Sequence, residues 1–332
     1  MVKHVPRAVL SSSPSRVYLI YVRSTQMENK RYVDPWTRAT SLMYTVTHFH
    51  ESFESEYQRI DVFEAEDWGT VLALGGVTNV TDRDESSYHE MLAHVPLLIH
   101  PEPRRVLIIG GGDGGTLREV LRHPEVEHAT LVDIDGEVIR CARAYFPRLA
   151  EAFDHPKAEV IVGDGLAYVA SAAERGESFD VILVDSTDPV DAAVELFTEA
   201  FYASCARLLG DTGILVPQSD SPTFCIDRVV SIQRTLDRVF KHARPYLGQT
   251  VAYPGGLWAY TMATNGVRPA PTEDAHARLA RFAPELRYLN GDMFDAAFAL
   301  PSYIHRAMGA LPPVDMPAIC DDPNTFGAGN AD

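Results

Sequence analysis

The sequence predicts an α/β fold: a mainly parallel sheet with helices on both faces, preceded by a small antiparallel β domain. Three observations carry this expectation. Residues 106–135, VLIIGGGDGGTLREVLRHPEVEHATLVDID, read as a buried strand, a glycine loop, a helix and a second buried strand ending in acids. Strands and helices then alternate as far as Pro217. Two more strands joined by a tight turn close the series. Composition agrees, since 332 residues with 46% hydrophobic content suit a folded protein with a sizeable core.

In chain order, residues 1–36 hold one short apolar run, 17–22, too short to span a bilayer and followed by no small-residue cleavage site. They are read as an N-terminal extension, partly ordered at best. Residues 37–83 are expected to form the small antiparallel β domain. It has alternating stretches at 41–48, 57–64, 70–74 and 77–81, separated by turns such as Asp67-Trp68-Gly69 and Gly75-Gly76. From Asp84 the period is helical, with Tyr88, Met91, Leu92, Val95, Leu98 and Ile99 on one side, ending at Pro101. The strand at 106–109 follows, and Gly110, Gly111, Gly112, Gly114 and Gly115 then let the backbone turn tightly beside a ligand before a helix over 116–123. Further strands are predicted at 159–163, 180–185 and 213–217, and helices at 137–144, 166–173, 198–209 and 226–240. Strands at 244–252 and 257–264 flank Tyr253-Pro254-Gly255-Gly256, a hairpin turn. Residues 273–308 read as helical cover with a turn near Asn290-Gly291. Five parallel strands closed by a hairpin give a Rossmann-like, class I methyltransferase-type, seven-stranded sheet within residues 84–332. That arrangement is common among enzymes using S-adenosyl compounds.

Charge and cysteine usage narrow the function. A formal net charge of −17 disfavours nucleic acid and anionic membranes as partners and suits a cationic small molecule, although solubility alone would also account for it. Cys141, Cys205, Cys225 and Cys320 lie far apart, with no C-x-x-C pair and no His at zinc-ligand spacing. They read as reduced thiols of a cytoplasmic protein, with no metal and no resident cofactor expected.

Acids recur where strands end, which is where ligands bind in an open α/β sheet. Asp133 stands 23 residues after Gly110, the usual place for the acid that accepts two ribose hydroxyls. Asp113, amid the glycines, would repel a pyrophosphate, and equally the carboxylate of S-adenosylmethionine. It would attract a tail ending only in an ammonium group, as in decarboxylated S-adenosylmethionine. The alternative is an exposed aspartate capping the helix at Thr116. Asp164, in Gly163-Asp164-Gly165, suits an adenine amino group or a plain Asp-Gly turn. Asp185 and Asp188, in Asp185-Ser186-Thr187-Asp188-Pro189, repel each other unless a cation sits between them. A helix-capping pair is the other reading.

These residues form a pattern. Tyr88-His89-Glu90-Met91, GGGDGG at 110–115, Gly163-Asp164-Gly165, Asp185-Ser186-Thr187-Asp188-Pro189, Gln218 and Tyr253-Pro254-Gly255-Gly256-Leu257-Trp258 together resemble the spermidine synthases, the polyamine aminopropyltransferases. The likeness covers about residues 44–308, and the tail at 296–301 looks like the bacterial branch. It implies transfer of an aminopropyl group from decarboxylated S-adenosylmethionine, a co-substrate, to a di- or polyamine such as putrescine. The products would be spermidine and 5′-methylthioadenosine, with no metal taking part. By that likeness Gln58, Asp133, Asp164 and Gly165 hold the nucleoside part and Asp113 the donor's ammonium. Tyr88, His89, Asp188, Gln218 and Tyr253 line the acceptor channel, and Asp185 is the base at the reacting nitrogen. The likeness also implies a homodimer or homotetramer.

Four positions depart from the pattern. Gly75 stands where the family commonly has Asp, Asn79 where it has Gln, and Asp191-Ala192 where it has Gly-Pro. They leave the acceptor open, and a longer or more cationic amine would suit the added charge. Two other classes fit the same fold: an amine N-methyltransferase using intact S-adenosylmethionine, and a non-catalytic polyamine- or nucleoside-binding paralogue.

Overall fold

Alternation of inward and outward side chains builds the first sheet. A computed structural model describes residues 30–187 and 191–310. Strands β1 (Lys30–Pro35), β2 (Ser41–Glu54), β3 (Arg59–Ala65), β4 (Gly69–Leu74) and β5 (Val77–Thr81) lie side by side in that order, all antiparallel. Tyr32, Tyr44, Phe63, Val71 and Ala73 pack on one face, and Ile60, Val62, Leu72 and Leu74 on the other. The β4–β5 turn is Gly75-Gly76 with φ of +59° and +90°, and Leu74 pairs directly with Val77. Both turn residues are left-handed, the geometry a two-residue hairpin needs.

β1 lies in the segment that the sequence assigns to an extension. Its signal is faint because the strand is short and directs only Tyr32 and Asp34 inward, one of them an acid. β2 runs six residues past its expected end at His48, because irregularities near Val46/His48 and Phe49/Glu51 break the alternation that a period of two depends on.

α1 (Glu85–Ile99) then leads into the second sheet. Its elements are β6 (Arg105–Gly110), α2 (Gly115–Leu121), β7 (His128–Asp133), α3 (Gly136–Tyr145), α4 (Pro147–Ala150), β8 (Ala158–Val162), α5 (Gly165–Glu174), β9 (Phe179–Asp185), α6 (Glu199–Leu208), β10 (Leu209–Pro217), α7 (Ile226–Val239), β11 (His242–Gln249) and β12 (Leu257–Thr264). Three short helices finish the described chain: α8 (Glu273–Leu279), α9 (Gly291–Ala296) and α10 (Ser302–Ala307). Among the described residues the sheet has seven strands in the order β11-β12-β10-β9-β6-β7-β8, parallel except where β12 pairs antiparallel with β10 and β11. Val106, Ile108, Leu131, Val181 and Leu183 face α1, α2 and the tail, while Leu107, Ile109, Val132, Ile182 and Val184 face α5, α6 and α7. Both faces are covered, which is why these strands read as unbroken apolar runs. No helix among the described residues is long and apolar enough to cross a membrane.

Two buried ionic groups bind the tail to α1. The Glu90 carboxylate accepts the backbone N–H groups of Arg287, Tyr288 and Leu289 at 2.8, 3.0 and 2.7 Å. The Arg278 guanidinium donates to the carbonyls of Leu97, Leu98 and His100, satisfying helix-end acceptors that have no partner further along. α1 is thereby held firmly over the sheet, and it carries Glu85, Tyr88 and His89 to the strand ends.

Candidate active site

A cleft of about 750 Å³ opens at the carboxyl ends of β6, β7 and β9. It is lined by ten of the eleven residues singled out in the sequence: Gln58, Tyr88, His89, Asp113, Asp133, Asp164, Gly165, Asp185, Gln218 and Tyr253. The eleventh, Asp188, lies outside the described residues.

The glycine loop sits against the end of β9. Gly111 donates its N–H to the carbonyl of Asp185 at 2.8 Å, and Gly110 has φ +83°. A Cβ at 110 would stand 2.1 Å from that same carbonyl oxygen, so only glycine permits the approach. The loop and the strand end therefore lie close enough for their carboxylates to interact.

At the end of β7, Asp133 is buried, with Oδ2 accepting Gly112 N–H and Oδ1 accepting Asp135 N–H, each at 2.8 Å. Burial pushes its carboxyl up to about 6, against the pull of those two N–H groups. Asp164 caps α5, its Oδ1 taking Leu166 N–H at 2.8 Å, and it is exposed at the cleft's edge. Gly165 packs against Ile109, where a Cβ would meet the isoleucine methyl at 2.5 Å. Gln58 reaches across from the small sheet and donates to Asp135 Oδ2 at 3.2 Å, beside Ser55 Oγ at 2.7 Å. The first sheet thus contributes a wall of the cleft.

Asp185 holds the centre. Tyr88 donates its hydroxyl to Oδ1 at 2.8 Å and Thr116 donates to Oδ2 at 2.6 Å. Burial, then the negative charge of Asp113, raise the Asp185 carboxyl above the ordinary carboxylate range, while His89 and the two hydroxyls hold it down. Asp113 goes the other way. Burial opposes its charge, but His89 and the Gly115 N–H outweigh that and keep its carboxyl low. The His89 ring is buried, with Nδ1 2.8 Å from Glu85 Oε2 and Nε2 3.2 Å from Asp113 Oδ1. Burial disfavours its charge, yet Asp113 and Glu85 prevail and raise its pKa to about 10. Both ring nitrogens of His89 thus lie against carboxylates, Glu85 on one side and Asp113 on the other. Ligand atoms of His89, Asp113 and Asp185 converge within 4.8 Å. What the trio presents to a ligand is therefore carboxylate.

Two more of the predicted residues, Gln218 and Tyr253, also line the cleft. Gln218 is buried, with Nε2 donating to Ser186 O at 3.2 Å and Oε1 accepting Asp220 N–H at 2.9 Å. Its amide fixes the chain just after Asp185. The Tyr253 ring lies edge-on to Tyr88 at 5.5 Å and to Trp258 at 4.7 Å, and its hydroxyl donates to Asn79 O at 2.5 Å. The Asn79 side chain turns back to Val77 O at 2.9 Å. A wall of aromatic rings over two carboxylates suits an alkyl chain ending in amines.

Sequence reasoning missed Glu85 and Thr116, and quoted Trp258 within the family pattern without giving it a role. Glu85 sits four residues before His89 on α1, a spacing that pairs side chains and was a readable signal. Thr116 carried no such mark, since its contact to Asp185 spans 69 residues.

Comparison with known proteins places the chain. A family model described as "Spermine/spermidine synthase domain" matches residues 85–271. A polyamine aminopropyltransferase of Thermotoga maritima is 44% identical over 261 residues, 78% of this chain and 87% of that protein. One from Bacillus subtilis is 39% identical over 273 residues, 82% of this chain and 96% of that protein. A solved spermidine synthase in complex with the transition state analogue AdoDATO superposes with TM-score 0.80 at 40% identity, covering 87% of this chain and 99% of that one.

Proposed function

Because the chain belongs to the spermine/spermidine synthase family and is an aminopropyltransferase, we propose that its donor is decarboxylated S-adenosylmethionine and its acceptor a diamine, putrescine foremost. The observation that carries this reading is the Asp113 carboxylate in the glycine loop, within reach of Asp185. A donor tail bearing a carboxylate would meet like charge there, whereas a tail bearing only an ammonium finds its counterion. The solved relative's complex with AdoDATO supports the same class of ligand for this cleft.

The nucleoside occupies the side of Gln58, Asp133, Asp164 and Gly165, its ribose hydroxyls donating to Asp133. The acceptor lies along Tyr88, Tyr253 and Gln218, and by the family likeness Asp188 would bind its far amine. For reaction, the acceptor nitrogen must be neutral, although a free alkylamine resembles lysine and is mostly protonated at pH 7. Burial and the donor's sulfonium disfavour a second cation at that nitrogen. Its lone pair attacks the aminopropyl carbon attached to sulfur. The C–S bond breaks with its electrons going to sulfur, neutral 5′-methylthioadenosine leaves, and the excess proton on nitrogen passes to Asp185. The raised carboxyl of Asp185 suits a group that must take a proton near neutrality. Holding nitrogen in line with the C–S bond contributes several kcal/mol.

The test incubates the purified protein with decarboxylated S-adenosylmethionine and, separately, putrescine, cadaverine, diaminopropane, agmatine and spermidine, with products read by mass spectrometry. Methylthioadenosine with putrescine as the best acceptor is expected. A better rate with a longer amine overturns the acceptor assignment, and a methylated amine formed from intact S-adenosylmethionine overturns the donor assignment.

A further inference from the structure

The donor subsite has a second layer that no likeness assigns. We infer that Glu85 is a positioning residue of the donor subsite: it holds the His89 ring with Nε2–H aimed at Asp113 and cancels the charge of Arg118, so that Asp113 keeps its negative charge for the donor's ammonium. This rests on the reading that Asp113 takes that ammonium.

The geometry runs as one chain of ion pairs from the half-buried Arg118 through Glu85 and His89 to the cleft. Arg118, on α2, places Nη2 2.8 Å from Glu85 Oε2 and Nη1 3.2 Å from Oε1. Oε2 also takes His89 Nδ1 at 2.8 Å, and His89 Nε2 reaches Asp113 Oδ1 at 3.2 Å. The His89 ring packs against Gly115, so closely that a Cβ there would stand 2.1 Å from Cε1. Asp113 Oδ1 receives both His89 and the Gly115 N–H at 2.7 Å. Oδ2 is then the oxygen left to meet a ligand's N–H.

Charge balance gives Glu85 its function. Arg118 and His89 are two cations, and Glu85 and Asp113 two anions. Arg118 also meets Glu119 at 2.6 Å, but Glu119 is shared with Arg122 and His94. Neutralising Glu85 leaves a surplus positive charge one side chain away from Asp113, where the donor brings a sulfonium and an ammonium. The groups facing His89 are Glu85 and Tyr88 on α1, Asp113 on the glycine loop, Arg118 on α2 through Glu85, and Asp185 at the end of β9. With Glu85 present, His89 stays charged well past neutrality, its pKa raised to about 10 against burial by Asp113 and Glu85. Without Glu85, burial gains and the ring loses its proton at lower pH, which removes the surplus charge again. Glu85→Gln therefore acquires a pH dependence beyond the one that Asp185 gives the parent protein.

The experiment measures dissociation constants of decarboxylated S-adenosylmethionine and of 5′-methylthioadenosine from pH 6 to 9 by calorimetry, on the full chain. The first ligand is cationic throughout, and the second is neutral. In the parent the ratio of the two constants should change with pH only through the ionisation of Asp185. In Glu85→Gln the cationic donor should bind about tenfold more weakly at pH 6 and recover toward the parent by pH 9, with methylthioadenosine within about twofold. Arg118→Gln, with the opposite charge change, should tighten the donor severalfold and leave methylthioadenosine alone, a readout independent of whether Glu85→Gln folds. Equal losses for both ligands, a donor loss that ignores pH, or no loss at all would each overturn the inference. Asp113→Asn separates the two levels. If it spares donor affinity, the donor-subsite reading itself fails; if it costs donor affinity while Glu85→Gln does not, only the role of Glu85 fails.

Discussion

Thr116→Val should move the pH profile of the reaction and little else. Thr116 is fully buried at the head of α2 and donates its hydroxyl to Asp185 Oδ2 at 2.6 Å. Valine keeps its shape and removes only that donor. A hydrogen bond to a charged acceptor is worth about 1.5–3 kcal/mol, and about 1.4 kcal/mol corresponds to one pKa unit. Its loss raises the Asp185 pKa by about one to two units, starting from a carboxyl that burial and Asp113 already hold high. A base works deprotonated, so a higher pKa leaves less active enzyme at a given pH. The acidic limb of kcat/KM should shift up by about one to two pH units, with the parent rate regained at high pH. The assay follows methylthioadenosine release from pH 5.5 to 9.5, alongside methylthioadenosine affinity. A rate drop of the same factor at every pH, or an affinity loss in parallel, would show that Thr116 only packs and that Asp185 is not the titrating base.

Asp185→Asn should lower turnover about 10²- to 10⁴-fold while leaving methylthioadenosine affinity within about twofold, and a collapse of both would make Asp185 structural. Glu90→Ala removes the acceptor for three backbone N–H groups and should cost about 3–5 kcal/mol in thermal unfolding, with Glu90→Gln intermediate because one acceptor oxygen survives. Asp34 is 1% exposed, and burial pushes its carboxyl from 3.8 up to about 6, so the folded state holds the proton more tightly than the unfolded one. That contribution is present in full below about pH 4 and is lost as pH rises through about 6. Asp34→Asn should therefore gain stability over the parent between pH 4 and 8, by up to on the order of 3 kcal/mol; melting curves with an unchanging gap would refute it.

The fold was legible where its signal is local. The apolar run before the glycines, the acid ending β7 and the Tyr253–Gly256 turn each follow from a few adjacent residues, and each lies where expected. β1 was not legible, because an edge strand with two inward side chains is held by pairing Tyr32 across from Tyr44, a contact that no local window contains. The site divides the same way. Acids at strand ends declare themselves, since the sheet sends every such residue to one rim. Thr116, and the Asp113 carboxylate that helps hold His89 as a cation, depend on which helix lies over which strand. The motif carrying His89 pointed to the acceptor channel, while the structure commits both of its ring nitrogens to carboxylates, one of them Asp113.

Crowding carboxylates at one rim has a consequence for the order of events. In the empty cleft Asp113 and Asp185 oppose each other, and the conflict is resolved by giving Asp113 the His89 cation and letting the Asp185 carboxyl rise. A donor bearing an ammonium and a sulfonium adds two positive charges beside that pair. By linkage, whatever favours ionised Asp185 in the complex must lower its pKa there, and ionised Asp185 must in turn tighten the donor by the same factor. On the proposed mechanism the donor thus brings Asp185 into its deprotonated form before the acceptor nitrogen arrives. The neutral product methylthioadenosine carries neither charge, so the incentive to keep Asp185 ionised leaves with the transferred group. A base that has just received a proton is then free to keep it until the cleft empties. Donor affinity should accordingly rise with pH through the Asp185 transition, while methylthioadenosine affinity stays level across the same range.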